Sequence, residues 1–285
     1  MVKPRAGTLP GVGTVAVVTD SSTCLPSELA ERYGVEVLAI SAYPTSDPLR
    51  ADEGDGQQEL SDALEQEELA SAHRPFVTEY LAAVEAFAYD AAVVVTPALE
   101  FASMYRNASV AVQLATRPAV VIDARTAAAG QALVVLAGAE VAAEGGDLAA
   151  VVAAVEDATR RVELVASLAT LEPLRRNGPI PDDVLGAPQL KGSRSLFRMH
   201  DGTIEPLGEA EDADGALQSI VRAYHASTPH GAVRTVVFHA GAPDLAHDLD
   251  RLLDGVDFVT GFSGAMQVHT GPGVVGAAWL PRTAP

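Results

Sequence analysis

Two short stretches near opposite ends of the chain carry the residue types that could do chemistry. Asp20-Ser21-Ser22-Thr23-Cys24-Leu25-Pro26 follows a β-branched apolar run and sets an acid and three hydroxyls where a strand ends and a helix is about to begin. Hydroxyls and backbone N–H groups at such a junction can bind an oxyanion, and the same residue types also cap helices and form turns. Gln267-Val268-His269-Thr270-Gly271-Pro272-Gly273 lies between two apolar runs and reads as a loop. Its glycines permit close approach of the backbone to another group, with His269 as the titratable side chain; a tight turn with an exposed histidine is the alternative.

Other chemistries find less support. Ser22, His269 and one of several Asp residues would make a hydrolase triad, but Ser22 lacks the Gly-flanked elbow that exposes a nucleophile, and no oxyanion motif accompanies it. That reading ranks third, and no enzymatic activity is expected. The sequence contains no Walker loop, and no Gly-x-Gly-x-x-Gly run joins an expected strand to a helix as a dinucleotide fingerprint requires. His73, His200, His225, His230, His239 and His247 lack the spacing of a zinc site, so no metal is expected. Cys24 is the only cysteine, which excludes an intrachain disulfide and a Cys-rich metal site; it reads as a small buried side chain.

Composition narrows the partners. The chain has 285 residues, 48% of them apolar, which is enough for a sizeable core in two lobes. Its formal charge of −19 repels phosphate backbones and anionic lipid head groups, so neither nucleic acid nor a membrane surface is an expected partner. Lys3, Arg5 and the apolar run 15–18 have the outline of a signal peptide, but Asp20 ends the run and no small-residue cleavage site follows. The longest apolar stretch, 127–143, is interrupted by Gln131, Gly138 and Glu140 and is too short to cross a bilayer. A cytoplasmic protein without membrane insertion is the expectation.

The elements that must position these residues alternate in type. Strands are expected at 14–19, 35–42, 91–96 and 119–122, and helices at 26–33, 75–89, 102–115 and 125–144. Continuous apolar strands alternating with helices indicate a doubly wound parallel sheet, whose ligands sit beyond the carboxyl ends of the strands. Asp20, Thr96-Pro97 and Asp123 mark that edge. Within an excursion over 44–70, nine acids (Asp47, Asp52, Glu53, Asp55, Glu59, Asp62, Glu65, Glu67, Glu68) face one base, Arg50, as expected of a solvated segment. Asp147 is a plausible cap for a helix ending at Arg161. Beyond it, Asp201-Gly202 signals a hairpin between strands 196–199 and 203–207, and strands at 162–168, 233–239, 256–260 and 274–280 alternate with helices 213–226 and 243–253. An α/β fold of two lobes is expected: residues 1–161 with the parallel sheet, and 162–285 with a mixed sheet and packed helices.

These elements and motifs, in this order, resemble the DegV family of bacterial fatty-acid-binding proteins. Asp20 to Pro26 is similar to its Asp-Ser-Ser-x-Asp-Leu-Pro opening, with Cys24 in place of the second acid, and His269, Gly271, Pro272 and Gly273 reproduce its His-x-Gly-Pro-Gly loop. Val121-Ile122-Asp123, residues 171–180 and Asp201-Gly202 resemble further family segments, although Pro179 stands where an Arg is usual. The resemblance implies two lobes with a long acyl chain buried between or within them, its carboxylate hydrogen-bonded near their interface. It also implies a carrier without a cofactor, some members serving as the fatty-acid-presenting subunit of a fatty acid kinase.

The head-group motifs differ from the family pattern. Thr-Ser-x-Pro-Ser falls on Ala72-His73-Arg74-Pro75-Phe76, and Ser-Gly-Thr-Tyr falls on Ala102-Ser103-Met104-Tyr105, so Ala72 and Ala102 replace the two hydroxyls the family points at the carboxylate. Ser71 and Ser103 lie one residue from the lost hydroxyls, and His73 and Arg74 add donors. A rearranged head-group site of His73 or Ser103 with His269 is therefore expected, supported by Ser21, Ser22, Ser71, Arg74, Gly271 and Gly273. The alternative is a divergent member that acts as a regulator or binds another apolar molecule.

Overall fold

The computed structural model of the chain describes residues 14–44, 70–86, 88–99, 103–177 and 192–283. The order begins with β1 (Val15–Asp20), one 3-10 turn (Ser21–Thr23), α1 (Ser27–Tyr33), β2 (Val35–Leu38), β3 (Ser41–Pro44), β4 (Ala70–His73) and α2 (Val77–Val84). It continues with β5 (Ala91–Thr96), α3 (Met104–Leu114), β6 (Ala119–Asp123), α4 (Ala128–Ala143) and α5 (Leu148–Arg161). The second lobe contains β7 (Glu163–Leu168), α6 (Glu172–Asn177), β8 (Arg194–His200), β9 (Thr203–Ala210), α7 (Ala213–Ser227), β10 (Ala232–Ala240), α8 (Pro243–Leu252), β11 (Phe258–Gly261), α9 (Gly264–Thr270) and β12 (Val274–Pro281).

Strands β2-β1-β5-β6, in that order, form an all-parallel sheet. The second sheet runs β11-β10-β12-β7-β8-β9, with only β10 and β11 parallel. Strands β3 and β4 pair antiparallel as a separate ribbon. The side-chain alternation of β1 and β5 explains why both read as continuous apolar runs. Val15, Val17, Val93 and Val95 belong to the core that contains α4, while Ala16, Val18, Ala92 and Val94 pack with Tyr80 and Ala108 of α2 and α3.

Helix α4 has eleven of its sixteen residues buried, so it is covered on every side. It packs on β1 and β5 on one side and on β10 and β12 on the other, with α5 beside it. On the far face of the mixed sheet, Val237, Val275 and Trp279 pack with Leu217 and Leu249 of α7 and α8. The layers therefore run helices, parallel sheet, α4 and α5, mixed sheet, helices. Close approach depends on small residues: a Cβ on Gly138 would lie 2.4 Å from a methyl of Val155 on α5, and one on Gly276 would lie 2.6 Å from Val165 O.

Polar contacts join the lobes. Arg234 on β10 pairs with Glu140 on α4 at 2.6 Å, and the Thr260 hydroxyl donates to Cys24 O at 2.6 Å. The Asp201-Gly202 turn has φ of 50° and 77°, the left-handed pair that a two-residue hairpin needs. It also reaches the first lobe, where Gly202 N donates to Arg125 O at 2.7 Å and Arg125 Nε meets Asp201 Oδ1 at 3.0 Å.

Several sequence expectations needed correction. The expected strand 35–42 is two strands, β2 and β3, which join different sheets after a break at residues 39 and 40. The expected helix 75–89 is the shorter α2, and the expected loop around His269 contains α9. The acidic residues 47–68 lie outside the described residues. Replacing Gly276→Ala is expected to lower unfolding stability by about 1–3 kcal/mol, because the added methyl meets backbone that cannot move aside as a side chain can. Denaturant unfolding of the variant checks this, and an unchanged midpoint would contradict the packing described.

Candidate ligand site at the strand ends

The order of the parallel sheet reverses at β1 and β5: the chain proceeds from β1 outward to β2, then returns to the other side of β1 for β5 and β6. Such a reversal opens a crevice at the carboxyl ends of the two central strands, where open α/β sheets bind ligands. Asp20 and Thr96 end those strands, both fully buried. Two residues earlier, Val18 pairs with Val94 on the sheet face that packs against Tyr80, so Asp20 and Thr96 fall on that same face.

A buried polar network occupies this edge. The Thr19 hydroxyl donates to Val95 O at 2.8 Å, tying β1 to β5. Gln131, on the largely buried α4, donates Nε2 to Thr19 Oγ1 at 3.1 Å, and its Oε1 lies 2.9 Å from the Ser22 hydroxyl. Asp20 Oδ1 accepts the Ser22 amide at 3.0 Å, capping the 3-10 turn, and is also in hydrogen-bond contact with the Ser22 hydroxyl. Among the described residues, Asp20 Oδ2 and the hydroxyls of Tyr80, Thr96 and Thr126 are buried without a hydrogen-bond partner. Burial pushes the Asp20 carboxyl up to about 6, against the smaller opposing pull of its hydrogen bonds from Ser22 and of the nearby Gln131 amide. The same burial, with Asp20 nearby, raises the Cys24 thiol to about 12 and the Tyr80 phenol well above its usual range.

The expected site residues fall into groups. Ser22 is buried inside this network rather than exposed in a cleft, which is not the setting of a hydrolase nucleophile. Ser21 Oγ accepts the Ile40 amide at 2.9 Å and so holds the chain leaving β2 against the end of β1. Strand β4 carries Ser71, Ala72 and His73, paired with Tyr43, Ala42 and Ser41. The β3–β4 ribbon packs against α9, which bears His269 in its last turn. Half-buried Arg74 follows β4 directly. Ser103 is exposed at the start of α3, and Asn107 one turn on donates to Pro75 O at 2.9 Å, drawing the start of α3 to the 74–76 segment. The backbone thus gathers 71–74, the start of α3 and α9 along one edge, while Ala102 lies outside the described residues.

Gly271 and Gly273 have a packing role. Both have positive φ, 69° and 84°, and a Cβ on either would lie 2.6 Å from Pro173 or 2.7 Å from Ala169. Arg194, nearly buried on β8, donates Nε to Ser167 Oγ at 2.8 Å and also hydrogen-bonds Gly273 O, fixing the loop to β7 and β8. A groove of about 370 Å³ lies elsewhere, between α1 and β2, lined by Leu25, Ala30, Val35, Val37 and Tyr89 and edged by Glu31 and Glu36. Its acidic edge suits a carboxylate poorly. The described residues contain no group of three His, Cys, Asp or Glu able to hold a metal ion, and no described helix is long and apolar enough to cross a membrane.

Of the network residues, the sequence points to Thr96 as a strand end but not to Thr19, Tyr80, Thr126 or Gln131 as site residues. The available signal was Gln131, a lone amide in an otherwise apolar helical run, since a buried amide needs hydrogen-bond partners.

The sequence profile of the DegV family, described as an uncharacterised protein family, matches residues 14–282, and the chain belongs to that family. A DegV domain-containing protein of Streptomyces coelicolor is 30% identical over 94% of this chain and 99% of its own length, and one of Clostridium perfringens 27% identical over 93% and 98%. Among solved structures, a DegV family protein from Thermus thermophilus, described for its fatty acid binding, superposes with a TM-score of 0.82 at 24% identity, covering 94% of this chain and all of that one. DegV from Bacillus subtilis, described as a fatty acid binding protein, gives 0.80 at 20% identity over 95% and 100%. At these identities the structural likeness establishes the two-lobed fold.

Asp20 supplies a pH test of the buried network. Because its folded pKa lies above the ordinary 3.8, its contribution to stability is full at lower pH, declines as pH rises through about 6, and stays lost above that. Relative to Asp20→Asn, the native protein should lose on the order of 3 kcal/mol between about pH 4 and pH 7. Urea unfolding across that range measures it, and parallel curves for the two proteins would show that Asp20 is not held as described.

Proposed function

We propose that this protein is a carrier that binds a long-chain fatty acid, with the tail in the apolar interior between the lobes and the carboxyl at the edge where β1, β5, β4 and α9 meet. The observation that carries this reading is the match of the whole two-lobed fold to proteins described with fatty acids: the DegV family protein from Thermus thermophilus, a DegV family protein with vaccenic acid from Ruminococcus gnavus and a stearic acid-binding protein from Eubacterium ventriosum. The layer of α4 and α5 between two sheets supports it, because apolar side chains from both lobes meet there.

Magnitudes favour retention of lipid binding despite the altered motifs. Burying a tail of about fourteen methylenes contributes on the order of 11 kcal/mol before ordering costs. Each hydrogen bond to a charged head group contributes about 1.5–3 kcal/mol. Alanine at positions 72 and 102 therefore re-specifies the head-group contacts, with His73 or Ser103 replacing the family's hydroxyls beside His269, and Ser71 and Arg74 in support. In the fuller form of this proposal the carrier is cytoplasmic, divides into lobes at 161/162, uses no cofactor, and presents its acid to a kinase that phosphorylates the carboxylate.

Native mass spectrometry of the purified protein, followed by solvent extraction, should reveal one long-chain fatty acid per chain. Substituting His73→Ala should weaken uptake of added fatty acid by roughly 10-fold, the size of one charged hydrogen bond, without emptying the tail site. A protein that carries no lipid and takes up none would remove the carrier reading and leave the likeness as one of fold.

A further inference from the structure

The hydrogen bond between Gln131 and Thr19 admits only one direction. Thr19 gives its single hydroxyl proton to Val95 O, so Gln131 must donate Nε2 to Thr19, which turns Oε1 toward Ser22. Gln131 Oε1 can only accept, so the Ser22 proton goes there whenever Asp20 does not claim it. The Ser22 oxygen then faces Asp20 Oδ1 as an acceptor, and the pair holds together only if Asp20 supplies a proton. With Asp20 protonated the chain runs unbroken from Asp20 through Ser22, Gln131 and Thr19 to Val95 O. With Asp20 ionised, the carboxylate draws the Ser22 proton to itself, and Gln131 Oε1, in a fully buried side chain, loses its donor.

We propose that the Ser22 hydroxyl is a two-position relay through which protonation of Asp20 regulates how the ligand edge is joined to α4, the helix that packs on both sheets. The surroundings leave Asp20 as the group that titrates. The turn after β1 presents the Cys24 thiol and α2 presents the Tyr80 phenol, both kept neutral by burial. At the same edge β5 presents Thr96, α4 presents Gln131 and β2 pairs Leu38 with Asp20, none of which ionises. Breaking the link loosens α4 from the end of β1, and, on the reading that a lipid lies between the lobes, lowers affinity on the alkaline side.

Nuclear magnetic resonance on the full chain tests the relay. The side-chain amide resonances of Gln131 should follow one ionisation, with the same midpoint as the Asp20 carboxyl carbon, and should be independent of pH in Asp20→Asn. In Ser22→Ala the Asp20 carboxyl should still titrate while the Gln131 response shrinks to the small direct effect of the nearby carboxylate. A Gln131 amide that stays silent while Asp20 titrates in the native protein, or that responds undiminished in Ser22→Ala, would overturn the proposal. A long-chain alcohol, whose head group does not ionise, should bind on the order of three- to tenfold more weakly above the midpoint than below it, and equally on both sides in Asp20→Asn. Binding of the alcohol that is unaffected by pH in the native protein overturns the regulatory step. Failure to bind either alcohol or fatty acid at any pH would defeat the carrier reading, while the resonance of Gln131 still decides the relay.

Discussion

A helix covered on every side cannot leave a side-chain amide without partners, and that requirement at Gln131 organises the centre of this molecule. Helix α4 is shared by two sheets, so its surface must be apolar toward both, and Gln131 is the buried polar side chain in its sequence. Its donor goes to Thr19 and its acceptor faces Ser22, both at the end of β1. The register of the helix on the parallel sheet is therefore fixed where the sheet order reverses. Losing either partner would leave a buried amide group unsatisfied, which costs about 1–3 kcal/mol.

The same constraint accounts for the unusual condition of Asp20. Its carboxyl is buried beside hydroxyls and an amide, with no cation among the groups that shift it, so the neutral acid is favoured beyond its ordinary range. This edge also gathers the ribbon of β3 and β4, the start of α3 and the helix bearing His269. Polar chemistry is concentrated at this end of the sheet. The facing sides of the two sheets are lined mainly by Ala, Val and Leu, with Phe197, Met199, Phe238 and Phe262 among them, so the layer between the lobes is apolar throughout.

Much of this architecture was legible in the sequence because the strands and caps are local signals. Strand β5 falls on the expected residues, Asp147 caps α5 by accepting the Ala150 amide at 2.9 Å, and the Asp201-Gly202 turn pairs β8 with β9. Helix α9 was hidden because its seven residues open on a glycine and close before Gly271-Pro272-Gly273, a composition that signals a loop. The break after β2 was hidden because apolar residues continue across it. The polar network was the least legible, because Thr19, Gln131 and Ser22 are more than a hundred residues apart across their shared bonds and meet only through tertiary packing.

The most direct test of the central claim is a crystal structure of the protein bound to a long-chain fatty acid. The tail should lie between the two sheets beside α4, with the carboxyl at the edge formed by the ends of β1 and β5, within reach of the segments bearing His73, Ser103 and His269. An acid bound instead in the groove between α1 and β2, or with its carboxyl at the opposite end of the sheet, would contradict it.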